Sequence, residues 1–334
     1  MSRLPKVLIK ILIAPAVLIG IVLTLAFVMV LWSDPEFTAP PDVSPEKLAA
    51  SGIRFDQPYP AAKRSFRMRD GTRLAAQYFP ARSRTTIVLV HGVLSSSYPL
   101  NGTSGLLREA TGAEVVAIDL RGHGLSGGTP GDTDYIGQYE DDLGDLIQEI
   151  RAAGGRRVIL AGHSMGGGIA LRYAMRPKAP VDGYLLFAPY LGWESPTTRK
   201  APPKAEAEAG AELLKINLPR ILGLKLLNTV GITLFNGLRT QFFNLPPELP
   251  LRSYSYRAME GAAPADYRAA LAAVKAPLLV IVGSRDEAFD AAAYGGVIGG
   301  NSHGMVSVIA DATHNGMLRD ARAMAAVKRW ASSF

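Results

Sequence analysis

The chain has 334 residues, of which 48% are hydrophobic and 8% aromatic, and its formal net charge is +7. This composition supports a large buried core and argues against a disordered chain. No cysteine is present, which excludes disulfides, thiol catalysis and cysteine-ligated metals. The basic residues are scattered, so the charge fits an anionic membrane surface better than a nucleic-acid partner.

An uncharged apolar segment lies close to the N-terminus, at residues 11–32. A helix of that length measures roughly 33 Å, about the thickness of a bilayer's hydrocarbon core. Three basic residues precede it, so the positive-inside rule keeps residues 1–10 in the cytoplasm and sends the rest across. A cleaved signal peptide is the alternative, but residues 30–34 contain no small-residue cleavage site. We therefore predict a single-pass transmembrane anchor and an extracytoplasmic, periplasmic globular domain.

After the anchor, residues 33–62 are rich in proline and predict an extended linker. From residue 63 onward, strand-like and helix-like segments alternate, beginning with a hairpin at Asp70-Gly71. Apolar runs predict strands at residues 86–91, 114–120, 157–162, 183–188, 277–282 and 306–310. Helices are expected over residues 139–153, 165–175 and 315–331. This alternation indicates an α/β fold with a mostly parallel sheet and helices on both faces.

The alternation is interrupted between residues 190 and 256, where we predict no strand. This stretch contains a helix candidate, Ala205–Ile216, followed by apolar pieces and a proline-rich end. Long structureless loops are uncommon in compact domains, so an insertion of this size predicts a helical lid. The α/β core is then divided into residues 63–189 and 257–334.

A Gly-x-Ser-x-Gly motif, Gly162 to Gly166, lies between a predicted strand and a predicted helix. In that context the serine sits on a sharp turn that lifts its hydroxyl above the sheet. Side chains two residues before and after it would make the strand and the helix collide. The helix start also directs free N–H groups toward the reacting oxygen. The motif therefore predicts Ser164 as a nucleophile, against the alternative of a glycine-rich helix start that merely packs on a sheet.

A serine nucleophile needs a base, and the chain offers five histidines. If the order is nucleophile, acid, histidine, the base follows the last strand, and His314 lies four residues beyond it. His303 precedes that strand and is the main competitor. We expect the side chain of His163 to point to the other face of the sheet because it adjoins Ser164. His123 lies in a glycine-rich loop.

The acid is expected at the end of the preceding strand, where Asp286 is the first carboxylate. Its role would be to hold the His314 ring in one tautomer and to stabilise the imidazolium. Glu287 and Asp290 remain alternatives, and so does a solvated surface aspartate.

An oxyanion hole requires two backbone N–H groups. One is predicted from Met165, the residue after the nucleophile, and the other from the loop after the third strand, at Val93. We interpret His91 as a structural hydrogen-bonding residue of that loop.

These residues resemble the α/β-hydrolases of the serine aminopeptidase S33 and monoacylglycerol lipase (lysophospholipase)-like group. The motifs that carry the resemblance run from about residue 86 to residue 316: His91-Gly92, Asp119–Ser126, Gly162–Gly167, Gly283–Asp286 and His314. The resemblance implies an eight-stranded sheet, a lid after strand six, and acyl chemistry without metal or cofactor, with Ser164, Asp286 and His314 as triad. Residues 119–126 are read as a structural loop beside the site. The segment after Asp286 departs from the family because it lacks the usual Val-Pro.

The prediction for function is hydrolysis of carboxylic esters through an acyl-enzyme. An apolar, mildly cationic lid on a tethered domain favours lipid-like acyl esters, although the lid's apolar residues could equally pack on its own core. A peptidase is the alternative, with Glu194, Glu206, Glu208 and Glu212 as candidate carboxylates for amine recognition. A non-catalytic binding protein with this fold is a further alternative. A dehalogenase or epoxide hydrolase is disfavoured because these enzymes usually carry aspartate at the position of Ser164.

Overall fold

The computed structural model describes residues 6–38, 43–154, 157–199 and 213–333, with side chains from residue 17 onward. Its core is an eight-stranded sheet in the order β1-β2-β4-β3-β5-β6-β10-β11, in which β2 runs antiparallel to both neighbours and the other pairs are parallel. The strands are β1 (Ala62–Arg67), β2 (Arg73–Phe79), β3 (Thr85–Val90), β4 (Glu114–Ile118), β5 (Arg157–His163), β6 (Gly183–Phe187), β10 (Leu278–Gly283) and β11 (Met305–Ile309). The expected eight-stranded, mostly parallel sheet is confirmed.

The described residues also contain helices, several of which connect these strands. They are α1 (Lys6–Val30), α2 (Pro45–Ala50), α3 (Asn101–Thr111), α4 (Gln138–Ala152), α5 (Met165–Met175), α6 (Leu218–Thr229), α7 (Tyr256–Glu260), α8 (Tyr267–Ala273), α9 (Ala291–Asn301) and α10 (Ala321–Ala331). The prediction of a single helix over residues 315–331 is wrong. A 3-10 turn at Gly316–Arg319 comes first, and Asp320 then adopts an extended conformation and caps α10 by accepting from Arg322 N–H.

The sheet determines where functional side chains can meet. Every residue of β4, β6 and β10 is buried, as expected for strands covered on both faces. Because β5, β10 and β11 run parallel, their carboxyl ends lie at the same edge of the sheet, which is where α/β proteins place their ligands. The segments after these three strands contain Ser164, Asp286 and His314.

The insertion, residues 190–256, contains strands that the sequence did not predict. In its described part, β7 (Leu214–Ile216), β8 (Arg239–Phe243) and β9 (Ser253–Ser255) form a separate antiparallel sheet. The absence of strands was therefore a wrong prediction, since elements of three to five residues are too short to show a period. Most of the helix candidate Ala205–Ile216 lies outside the described residues, and its last three residues form β7.

The N-terminal helix α1 packs against α6 of the insertion. Ala26 and Val30 of α1 share a buried apolar cluster with Leu224 and Leu227 of α6. A Cβ atom at Gly223 would lie 2.6 Å from the carbonyl oxygen of Ala26, so this close approach requires glycine.

The guanidinium of Arg220 reinforces this contact because it is buried between α1 and the insertion. Its Nε donates to the Val30 carbonyl at 3.0 Å, and other nitrogens donate to the Arg239 carbonyl at 2.7 Å, to the Trp32 carbonyl and to Asp34. The carbonyls at the end of α1 are thus satisfied by a cation, which the helix dipole also favours. Within the described residues, no helix has the length and hydropathy of a bilayer-spanning segment. The anchor at residues 11–32 therefore stays a prediction.

Candidate active site

Ser164 lies at a sharp elbow between β5 and α5. Its backbone has φ 54° and ψ −118°, a region that residues other than glycine rarely adopt. A Cβ atom at Gly162 would lie 2.4 Å from the Gly166 carbonyl oxygen, and one at Gly166 would lie 2.4 Å from the Val90 carbonyl oxygen. The two glycines of the motif are therefore needed for strand, turn and helix to pack, as the sequence predicted.

His314 and Asp286 are joined by a hydrogen bond of 2.8 Å between Nδ1 and Oδ2. Asp286 is only 2% exposed, and its Oδ1 accepts from Ala288 N–H at 2.9 Å and Phe289 N–H at 2.8 Å. The carboxylate is thus held in place from two sides. The second ring nitrogen of His314 remains available for a reacting hydroxyl. In the described part of the chain, no hydrogen bond joins Oγ of Ser164 to His314; in unliganded enzymes this bond is often long.

The other acid candidates have structural roles. Glu287 accepts the backbone N–H of His314 at 2.9 Å and so fixes the loop rather than the ring. Asp290 caps α9 by accepting from Ala292 N–H at 3.1 Å. Among the three carboxylates, Asp286 is the one bonded to the imidazole. Of the lid carboxylates, Glu194 is exposed, while Glu206, Glu208 and Glu212 lie outside the described residues.

His163 does not point away from the site, contrary to the sequence prediction. Its ring centroid lies 4.6 Å from that of His314, and its Nε2 is 3.2 Å from the His314 carbonyl oxygen. Side-chain alternation applies within β5, which ends at His163, but not across the elbow that follows. The contact brings the elbow and the loop carrying His314 together. The competitor His303 is exposed and precedes β11.

The loop after β3 runs against the elbow. A Cβ atom at Gly92 would lie 3.2 Å from Cβ of Ser164. The backbone N–H groups of Val93 and Met165 donate to no protein acceptor in the ranges that the structure describes. The N–H groups of both predicted oxyanion donors are therefore unpaired near Ser164.

His91 and Asp119 hold this loop from below, as predicted. His91 is buried, and its Nε2 accepts from Leu120 N–H at 3.1 Å. Asp119 accepts from Ser97 N–H at 2.6 Å through one oxygen and from Leu125 N–H at 2.8 Å through the other. The Asp119–Ser126 segment is thus a structural loop that ties β4 to the segment after β3.

Tyr254 of β9 also contacts the loop, and the sequence analysis missed it. Its hydroxyl lies 2.7 Å from the backbone nitrogen of Leu94 and 2.9 Å from Nε2 of His123. No local motif surrounds it, so only the folded insertion reveals its position.

Three buried histidines predict how stability depends on pH. Burial lowers the pKa of His91 to about 4 and that of His123 to about 3, and it holds the pKa of His163 well below 6.5. The folded state therefore binds fewer protons than the unfolded state below about pH 6.5. The stability from neutral histidines is complete above pH 6.5, and each loses about 1.4 kcal/mol per pH unit as the pH falls toward 4.

We expect the free energy of unfolding to decrease between pH 6.5 and pH 4.5 in urea titrations. Burial raises the pKa of Glu140, and raises that of Asp142 to about 6. These two carboxyl groups oppose the decrease in stability, but they are fewer than the three histidines. His91→Gln should reduce the slope by one histidine's share, whereas His303→Gln, at an exposed site, should leave it unchanged. Equal slopes in the wild type and His91→Gln would contradict this account.

A serine on such an elbow, in a sheet of this order, is typical of the α/β-hydrolase fold, and the chain has that fold. Residues 81–233 match the model of the family described as serine aminopeptidase, S33. The resemblance stated from the sequence motifs is thereby confirmed.

Characterised and uncharacterised relatives agree with this placement. The AB hydrolase superfamily protein YisY of Bacillus subtilis is 32% identical over 190 residues, 52% of this chain and 65% of that protein. An sn-1-specific diacylglycerol lipase of Danio rerio is 29% identical over 127 residues, 37% of this chain and 38% of that one. The chain spans less than two thirds of the length of such curated relatives, from 29% to 65%. The monoacylglycerol lipase of Paleococcus ferrophilus shares the fold at TM-score 0.55 and 23% identity, over 78% of this chain and 98% of that one.

Proposed function

We propose that the chain is a membrane-anchored serine hydrolase that cleaves lipid-like carboxylic esters through a Ser164–His314–Asp286 triad. The observation that carries the proposal is the His314–Asp286 hydrogen bond of 2.8 Å, beside a serine on a strained elbow. A buried carboxylate that orients an imidazole is the arrangement that turns a serine hydroxyl into a nucleophile.

The mechanism follows from these positions. Ser164 Oγ attacks the acyl carbonyl while Nε2 of His314 takes its proton, and Asp286 stabilises the imidazolium. The Val93 and Met165 N–H groups bind the oxygen that becomes negative. His314 then protonates the leaving alcohol, and an attacking water repeats the sequence to release the acid. No metal or cofactor enters any step.

The substrate class is argued from the surface of the insertion. Leu218, Leu222, Leu226 and Val230 recur every four residues on α6 and beyond it, and all are exposed. This row faces away from Leu224 and Leu227, which pack on α1, and α1 itself exposes apolar side chains from Val17 onward. Two adjoining helices with apolar outer faces fit an amphiphilic substrate at a bilayer surface, with the insertion acting as lid. The diacylglycerol and monoacylglycerol lipases among the similar proteins favour the same class.

The membrane anchor and the location of the domain are part of the proposal. The uncharged segment at residues 11–32 would cross the bilayer, and the basic residues before it would remain in the cytoplasm. Alkaline extraction of membranes and protease protection of spheroplasts test this. Recovery of the intact chain in the soluble fraction would argue against the anchor.

A chain-length series tests the substrate class. We expect turnover to rise from short p-nitrophenyl esters to long-chain monoacylglycerols in vesicles. The double variant Leu222→Gln/Leu226→Gln should lower the long-chain rate several-fold while leaving p-nitrophenyl acetate unaffected, because only interfacial substrates meet the row. Met305→Gln, an exposed apolar residue on β11, is the matched control. Equal rates across chain lengths would refute the specificity for lipids but would leave the proposed ester hydrolysis intact.

A peptidase is the second candidate, favoured by the description of the matching family. Release of naphthylamine from aminoacyl-naphthylamides would support the peptidase over the ester hydrolase. A non-catalytic binding protein is tested by a fluorophosphonate probe, which should label the full chain at Ser164. Absence of labelling would favour the binding protein.

A further inference from the structure

Tyr254 links the insertion to the core through its hydroxyl group. The side chain is fully buried and lies on β9, whereas both partners of its oxygen belong to core loops. One partner is the backbone nitrogen of Leu94, directly after the oxyanion donor Val93, and the other is the imidazole of His123.

The directions of these hydrogen bonds can be assigned. The Leu94 N–H can only donate, so the phenolic oxygen accepts it and directs its own hydrogen to Nε2 of His123. Nε2 must then be an acceptor, which leaves the proton on Nδ1, 2.8 Å from the Arg121 carbonyl oxygen. Burial keeps this ring neutral, with its pKa lowered to about 3. One arrangement of hydrogens thus satisfies the Leu94 N–H, the Tyr254 hydroxyl and both ring nitrogens of His123.

The backbone of Leu94 requires such support. Its φ is +58°, in the left-handed region that a leucine rarely adopts. Without a partner for its N–H group, the loop could relax toward an ordinary conformation and turn the preceding peptide away from the substrate oxygen. The hydrogen bond that the Leu94 N–H donates to Tyr254 holds this strained residue next to Val93.

We propose that Tyr254, which is hydrogen-bonded to His123, is a positioning residue that fixes the orientation of the Val93 N–H group. The oxyanion hole would then depend on correct packing of the insertion against the core. The proposal rests on the proposed serine chemistry. Tyr254 does not touch the substrate; it acts through Leu94. Folding of the insertion against the core would thereby complete the catalytic constellation.

The test is Tyr254→Phe, which removes one oxygen, compared with Tyr256→Phe, a buried tyrosine of the neighbouring helix. Misplacing one oxyanion donor should lower kcat for a short ester by about 10- to 100-fold, with KM little changed. The affinity for an aryl trifluoromethyl ketone, whose adduct carries an oxyanion, should fall by a similar factor. Tyr256→Phe should leave both quantities at the wild-type level.

A second variant keeps the proposal testable if Tyr254→Phe folds poorly. His123→Leu removes the acceptor of the phenolic hydrogen and should lower kcat and ketone affinity in parallel. In the double variant Tyr254→Phe/His123→Leu, the losses of kcat and of ketone affinity should be no larger than the greater single loss. Both residues act through the one hydrogen bond between Leu94 and Tyr254. Unchanged ketone affinity in Tyr254→Phe, or multiplied losses in the double variant, would overturn the proposal. A wild-type chain with no ester turnover would instead refute the proposed function, so the two failures are distinguishable.

Discussion

Replacing Ser164 with alanine is expected to abolish ester hydrolysis, with a loss of about 10⁶-fold in kcat. The loss is this large because the remaining members of a triad cannot act without their nucleophile. The Cβ atom is retained and Oγ donates no bond that the folding of the elbow requires, so the melting temperature should stay close to that of the wild type. Turnover of p-nitrophenyl butyrate and thermal melting are the two measurements.

The matched control for this variant is Ser302→Ala, at a half-buried serine after α9 whose hydroxyl donates to the Ile298 carbonyl and accepts from Gly304 N–H, away from Ser164. It should retain full activity and full fluorophosphonate labelling. If Ser164→Ala hydrolysed the ester at a substantial fraction of the wild-type rate, or if the probe labelled another serine, the assigned nucleophile would be wrong.

Asp286→Asn should lower kcat by about 10⁴-fold without unfolding the protein. The amide oxygen of asparagine can still accept the Ala288 and Phe289 N–H groups, so its NH₂ faces Nδ1 of His314. Two donors cannot share that contact, and the ring must therefore place its proton on Nε2. In that tautomer Nε2 cannot accept the proton of Ser164. Steady-state kinetics with a short ester, together with circular dichroism, measure the effect.

Asp290→Asn is the control for this second change. Asp290 follows Asp286 by four residues and caps α9, where asparagine serves as well as aspartate. Its activity should match that of the wild type. A loss at Asp290 equal to that at Asp286 would mean that general negative charge, not the bond to the imidazole, supports the reaction.

Much of this architecture could be predicted because it is encoded locally. Gly162 and Gly166 flank Ser164 between an apolar strand and a helix. The glycine spacing, the strand and the helix are each visible in a short stretch of sequence. Spacing also favoured Asp286 over Glu287 and Asp290, because it is the first carboxylate after the strand, but spacing alone left these two as alternatives. The decision depends on which carboxylate oxygen reaches the ring, and three carboxylates within five residues after a strand differ in side-chain direction rather than in sequence context.

The parts that could not be predicted depend on long-range contacts. The hydroxyl of Tyr254 meets residues 160 and 131 positions away in the chain, and no periodic pattern records such a meeting. The side chain of His163 was misplaced because the alternation rule ends at the elbow. The short strands of the insertion gain their order from pairing with one another, which intrinsic propensity alone does not reveal.

The buried Arg220 limits how the protein can be shortened for study. Deleting residues 1–38 to obtain a more tractable protein would remove three of the four partners of this guanidinium and uncover the leucines of α6 that α1 shields. An unpaired cation in that location is costly, and a bared apolar face promotes self-association. The N-terminal helix is thus an internal scaffold for the insertion, and purification schemes should retain it.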